Sequence, residues 1–149
     1  MRNNNLKFSF LILVVFMLSL AACNHNRIAR TLRVYGEKQG FELQIIHTDS
    51  LSINHQGLSG ILKYLDGVKK VYMLKFDAKS GNHSVNELLY QRLQQQITGQ
   101  RFERVLNIEG KSKLGLYVQK NKKGDIKQLV FIKSGGRHSL YLWAPYSKN

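Results

Sequence analysis

The sequence predicts an α+β fold, a single domain in which a mostly antiparallel sheet of about five or six strands carries two or three helices on one face. Three observations lead to it. Apolar residues recur at helical spacing in parts of the first hundred residues, they alternate or run together in blocks of strand length elsewhere, and the last four blocks are parted only by short turns. Consecutive strands joined that tightly pair as an antiparallel C-terminal β-meander. Helices placed between and after the earlier strands are expected to gather on one face of the sheet.

Taken in order, Arg27 to Gln39 sets Ile28, Leu32 and Tyr35 on one helical stripe before Gly36 and Gly40, a short helix. "FELQIIH" then puts Phe41, Leu43, Ile45 and His47 on one side of an alternating run, which is a strand signature. "GLSGILKYLDG" places Leu58, Ile61, Leu62 and Leu65 on a helical stripe closing at Gly67. The following strand, "VKKVYMLKF", is apolar on both sides, as a strand well inside a sheet is. Ser84 and Glu87 form an S-x-x-E capping box, so a helix is expected from Ser84, with Val85, Leu88, Leu89, Leu93 and Ile97 buried and Gly99 as its stop. "RFERVLNIE", "KLGLYVQK", "DIKQLVFIK" and "HSLYLWA" are the four meander strands. Turn signals part them at Glu109-Gly110-Lys111, Asn121-Lys122-Lys123-Gly124 and Ser134-Gly135-Gly136-Arg137.

The 149 residues suit one domain and show neither a repeat nor a linker. Lys and Arg number 23 against 9 Asp and Glu, a formal charge of +14 spread along the chain, which favours anionic partners. There is one cysteine, Cys23, so no disulfide forms within the chain and the fold rests on its packed core.

Residues 1–22 have the layout of a secretory signal. A basic head with Arg2 and Lys7 precedes an apolar run from Phe8 to Leu20, and the small residues Ala21 and Ala22 lead to Cys23. The apolar run falls short of the ~20 residues that span a bilayer. In its plainest reading Cys23 is a small apolar residue at the end of a leader. Leu20-Ala21-Ala22-Cys23, however, resembles the bacterial lipobox. That resemblance implies diacylglyceryl attachment to the Cys23 sulfur, cleavage between Ala22 and Cys23, and acylation of the new amino terminus with a fatty acid such as palmitate. Residues 23–149 then form the mature domain, held to the membrane by its lipid chains without a spanning helix. Asn24 is not the Asp often linked to inner-membrane retention, which by analogy slightly favours the outer membrane. Export also argues against nucleic acid as the partner of so basic a chain.

Chemistry is sparse. His25, His47, His55, His83 and His138 include no pair at ligand spacing on a helix face, and no second Cys is present, so no metal site and no cofactor are expected. There is no G-x-S-x-G elbow, P-loop or dinucleotide glycine pattern. Asp49, Asp66, Asp77 and Asp125 stand beside turns, where Asp commonly bonds its own backbone. No catalytic residues are assigned. Lys111, Lys113, Lys120, Lys122, Lys123 and Lys127 cluster in sequence on two successive strands and their turn. Lysines there protect a hairpin edge from aggregation, the preferred reading; the sharper alternative is a patch for anionic lipid or an acidic partner. Tyr117, Phe131, Tyr141, Trp143 and Tyr146 are expected mainly in core and cross-strand packing.

The segments "LSGILKYLDGVKKVYMLKF", "VNELLYQRLQQQI" and "KLGLYVQKNKKGDIKQLVFI" together resemble the domain of unknown function 4252 family, small exported or lipid-anchored bacterial proteins. The likeness covers roughly residues 27–144 and rests on apolar patterning and order of elements. It implies an α+β exported domain and supplies no activity. The functional expectation is therefore a lipid-anchored, periplasm-facing cell-envelope domain that binds a protein partner or anionic lipid without catalysis. The alternative is a small envelope hydrolase or transferase with an unrecognised site.

Overall fold

A computed structural model describes residues 27–48 and 61–146. Helix α1 (Arg27–Gly36) leads to β1 (Phe41–His47); a 3₁₀ turn (Leu62–Tyr64) precedes β2 (Lys70–Asp77) and helix α2 (His83–Gly99). The meander follows as β3 (Glu103–Ile108), β4 (Lys113–Lys120), β5 (Ile126–Ser134) and β6 (His138–Pro145). All six strands form one antiparallel sheet in the order β1-β2-β6-β5-β4-β3. Helix α2 carries the chain from β2 to the far edge, and the meander returns until β6 lies beside β2. The α+β architecture and the meander agree with the expectation.

Both faces of the central strands are buried, which accounts for their mixed apolar pattern. On one face Ile28, Leu32 and Tyr35 of α1 and Leu89, Leu93 and Ile97 of α2 pack on Leu74, Val130, Ile132, Tyr141 and Trp143. Tyr141 and Leu74 are fully buried there. On the other face Met73, Leu116, Leu129, Phe131 and Leu142 form a second cluster with Ile61, Leu65 and Val68. The two α-helices thus share one face, while the 3₁₀ segment serves the opposite one. Of the helix expected over "GLSGILKYLDG", the part up to Gly60 lies outside the described residues, and the described remainder is the 3₁₀ turn instead of an α-helix.

Polar groups beneath the helices pair with one another. The Tyr141 hydroxyl lies 2.7 Å from Asn86 Oδ1 and 3.1 Å from Ser134 Oγ, and Asn86 Nδ2 donates to Ser139 Oγ at 3.1 Å. Trp143 Nε1 donates to Gln128 Oε1 and Gln128 Nε2 to Gln119 Oε1, each at 2.7 Å, and Gln119 Nε2 reaches the Gln100 carbonyl at the end of α2. Buried donors and acceptors left unpaired would cost about 1–3 kcal/mol each. These links tie α2 to the sheet at both of its ends.

The ends of α2 depart from the sequence expectation. Asn82, not Ser84, is the N-cap: its extended backbone (φ −95°, ψ 121°) lets Oδ1 accept from Ser84 N at 2.8 Å. Glu87, freed from a capping box, lies 3.5 Å from Lys113. Leu88 is 57% exposed, because it falls beside the buried stripe, where Asn86 is taken in by Tyr141. At the C-terminus Phe102 N donates to the Ile97 carbonyl and Arg101 N to that of Thr98, a Schellman closure. The left-handed residue in it is Arg101 (φ 58°), so Gly99 closes the helix without supplying the turn.

Two glycines are fixed by close approach. Gly40 (φ +82°) lies against the Gly81 backbone, where a Cβ would come within 2.2 Å, so the α1–β1 and β2–α2 connections meet there. A Cβ on Gly115 would stand 2.6 Å from the Tyr117 ring, which leans back along β4.

Candidate functional site

The strand register gives the sheet two ends. One, called here the cavity end, holds Phe41, Asp77 and His138, with the β3–β4 and β5–β6 turns. The opposite end holds His47, Lys70, Pro145, Lys120 and the β4–β5 turn. Helix α2 starts at the cavity end and runs to the other. Helix α1 runs the opposite way: its C-terminal Tyr35 stacks edge-on against Phe41, Arg33 reaches Tyr72, and Thr31 Oγ1 accepts from Gln96 Nε2 at 2.9 Å. Arg27 therefore sits at the end opposite the cavity.

The cavity, about 610 Å³, is lined by side chains including Glu42, Lys75, Asp77, Lys133 and His138. Glu42, Lys75, Leu140 and Lys133 stand in cross-strand register, on the face away from the helices. His138 Nδ1 is 3.9 Å from Asp77 Oδ1, and both side chains are open to solvent. Asp77 Oδ1 also accepts from Lys79 N at 2.9 Å, the turn role foreseen for it. The hydroxyls here are engaged elsewhere. Ser80 Oγ lies against the Asp77 carbonyl, and Ser139 Oγ, buried on the helix face, takes its bond from Asn86. No serine or threonine hydroxyl among the described residues bonds a histidine, the contact an activated nucleophile uses. A second hollow of about 620 Å³ adjoins it between Lys38 and the start of α2.

Charge separates the two ends. At the cavity end Lys38, Lys75, Lys79, Lys111, Lys113, Lys133 and Arg137 are interleaved with Glu37, Glu42, Asp77, Glu87 and Glu109, seven cations against five acids. At the opposite end α1 contributes Arg27 and Arg30, Lys69 precedes β2 and Lys70 begins it, and Arg101 and Arg104 flank the start of β3. The β4–β5 connection adds Lys120, Lys122 and Lys123, and Lys127 lies on β5 just beyond it. The described acids at that end are Asp66, Glu103 and Asp125. Glu103 is paired with Lys120 at 2.6 Å, and Asp125 is held in the turn by Asn121.

The lysine group read from the sequence is accordingly divided. Lys120, Lys122, Lys123 and Lys127 gather at the basic end. Lys113 lies seven residues back along β4, about 23 Å away at strand rise, with its ammonium 4.3 Å from the Tyr90 ring centre, and Lys111 lies beyond it. Proximity in sequence misled because a strand separates its two ends by its full length. Arg27, Arg30, Lys69, Lys70, Arg101 and Arg104 were missed for the converse reason, since only topology brings their segments together.

Strand β3 is a further candidate surface. It is an edge strand, every one of its residues is exposed, and Val105, Leu106 and Ile108 are 44%, 42% and 54% accessible. A bulge between Arg104 and Leu106 shifts its pairing with β4. No described strand pairs with its outer edge, which leaves a row of backbone donors and acceptors free to pair with another chain.

Among the other sequence candidates, His47 ends β1 exposed, and His83 opens α2 with its ring 6.0 Å from that of Phe76. His25, His55, Ala22 and Cys23 lie outside the described residues. Among the described residues no three His, Cys, Asp or Glu side chains gather as metal ligands do, and no helix is long and apolar enough to cross a membrane. Tyr117, Phe131, Tyr141 and Trp143 are buried as anticipated. Burial pushes the Tyr141 hydroxyl up to about 12, against the smaller opposing effect of its bonds to serine.

Fold and surfaces together define the class: an α+β sheet domain with a packed core on both faces, a basic end and, in β3, an edge strand exposed along its whole length. No family model, curated protein or solved structure matches the chain.

Proposed function

We propose that this chain is a lipid-anchored domain of the bacterial cell envelope that binds a protein partner and is not a catalyst. The observation that carries the binding role is β3, an unpaired edge presenting Val105, Leu106 and Ile108 to solvent. Unpartnered strand edges are usually blunted or covered in monomers, and a partner strand would satisfy their free backbone groups. The anchor rests on the lipobox Leu20-Ala21-Ala22-Cys23, and the resemblance to the domain of unknown function 4252 family accords with it. Residue Asn24 tilts the placement toward the outer membrane, with the domain facing the periplasm.

Two measurements test this reading. A photo-crosslinking residue at Ile108 in living cells is expected to give a discrete protein adduct that the same residue at exposed Val34 on α1 does not. The same adduct yield from both sites would overturn the edge as the binding surface. Cys23→Ala is expected to block lipid labelling and processing while leaving the domain folded, and continued labelling would overturn the anchor. The second reading, a hydrolase or transferase, draws on the open cavity beside His138 and Asp77 and would be favoured if His138→Ala removed an envelope activity.

A further inference from the structure

We infer that the basic end of the domain lies flat against an anionic phospholipid surface, with the cavity end, and Ile108 at the far end of β3, turned away from the bilayer plane. This rests on lipidation at Cys23 and adds an orientation to it. Four residue steps separate Cys23 from Arg27, a reach of at most about 14 Å even when fully extended. Whatever the path of that tether, the first turn of α1 is confined near the headgroups. Helix α1 emerges at the basic end, so the anchor and the excess cations occupy the same side of the molecule.

The cations there come from four separate parts of the chain. Arg30 is exposed one turn into α1; Lys69 stands at the entry to β2, Arg101 closes α2, and Lys122 and Lys123 form the exposed tip of the β4–β5 turn. Six strands spaced by about 4.8 Å set these groups across a front roughly 25 Å wide. A front of that width touches several headgroups at once. Cations within a Debye length of an anionic surface are attracted, and the acids at this end are few, two of them already engaged by Lys120 and Asn121. At the cavity end interleaved carboxylates cancel most of the field. An acidic protein could use the same cations, but the short tether brings the bilayer to them first.

The test uses the full chain, processed in cells, purified and reconstituted in phosphatidylethanolamine vesicles with or without 30% phosphatidylglycerol. Amine-reactive labelling read by mass spectrometry compares Lys69, Lys122 and Lys123 with Lys79 and Lys111, all exposed in the domain. The first three are expected to be labelled several-fold more slowly in the anionic vesicles, with the difference removed by 0.5 M salt. Lys79 and Lys111 should label at the same rate in both vesicle types. Charge reversal at Lys122 and Lys123 should restore labelling at Lys69. Equal labelling at both ends, or slower labelling at Lys79 and Lys111, would overturn the orientation while leaving the anchor intact. A Cys23 peptide without its lipid mass would overturn the anchor itself, and the orientation with it.

Discussion

Strand β5 is buried on both faces and strand β3 on neither, although each carries a similar share of branched and aliphatic residues. In β5, Val130 and Ile132 meet the helices while Leu129 and Phe131 meet the second apolar cluster. In β3, Val105, Leu106 and Ile108 meet solvent. The difference comes from position in the sheet: β5 has β6 and β4 as neighbours, and β3 has β4 alone. The same residue types thus hold the core together in one strand and are available to a partner in the other.

The largest test of that contrast is Leu129→Ala. Its side chain is fully buried, so truncation is expected to cost 2–5 kcal/mol, read from the urea midpoint with an unchanged slope. A loss below about 1 kcal/mol would mean that β5 is not packed on its second face.

A smaller effect arises where β5 ends. Ser134 Oγ lies 3.1 Å from the Tyr141 hydroxyl, which burial pushes up to about 12 from an ordinary value near 10. The folded form holds this proton more tightly than the unfolded one. Stability from Tyr141 is therefore complete below pH 10 and is lost as pH rises from 10 toward 12, by roughly 2–3 kcal/mol. Tyr90 and Tyr146 are also shifted up, chiefly by burial, and act in the same direction. Urea midpoints between pH 8 and 11.5 should show the fall, and Tyr141→Phe should flatten it. An equally steep fall in that variant would assign the loss to other groups.

Much of the fold is legible in the sequence. Helical spacing, alternation and turn glycines located α1, α2 and all six strands, because each signal acts over a few neighbouring residues. The edge position of β3 was not legible, since "RFERVLNIE" alternates as well as any inner strand and only the crossing by α2 sends it to the far side. Asn82 displaced Ser84 as cap because both are good acceptors and the meeting of Gly40 with Gly81 fixes where the helix begins. The basic end was half legible. Lys120, Lys122 and Lys123 are close in sequence, whereas Arg27, Lys69 and Arg101 join them only through sheet order and the antiparallel run of the two helices.

The smallest expected effect is also the most discriminating. Ile108→Thr and Val105→Thr keep β-branched residues on β3, remove apolar area that solvent already reaches, and leave both buried clusters untouched. Each is expected to change stability by less than about 0.5 kcal/mol, as exposed substitutions do. Their effect should appear instead in association, as a weaker adduct from a crosslinker placed at Leu106. If either variant shifted the urea midpoint as far as Leu129→Ala does, β3 would be a packed strand and its apolar side chains would belong to the fold. If stability and adduct were both unchanged, the backbone edge would be the contact, and a proline at Asn107 would be the substitution that breaks it.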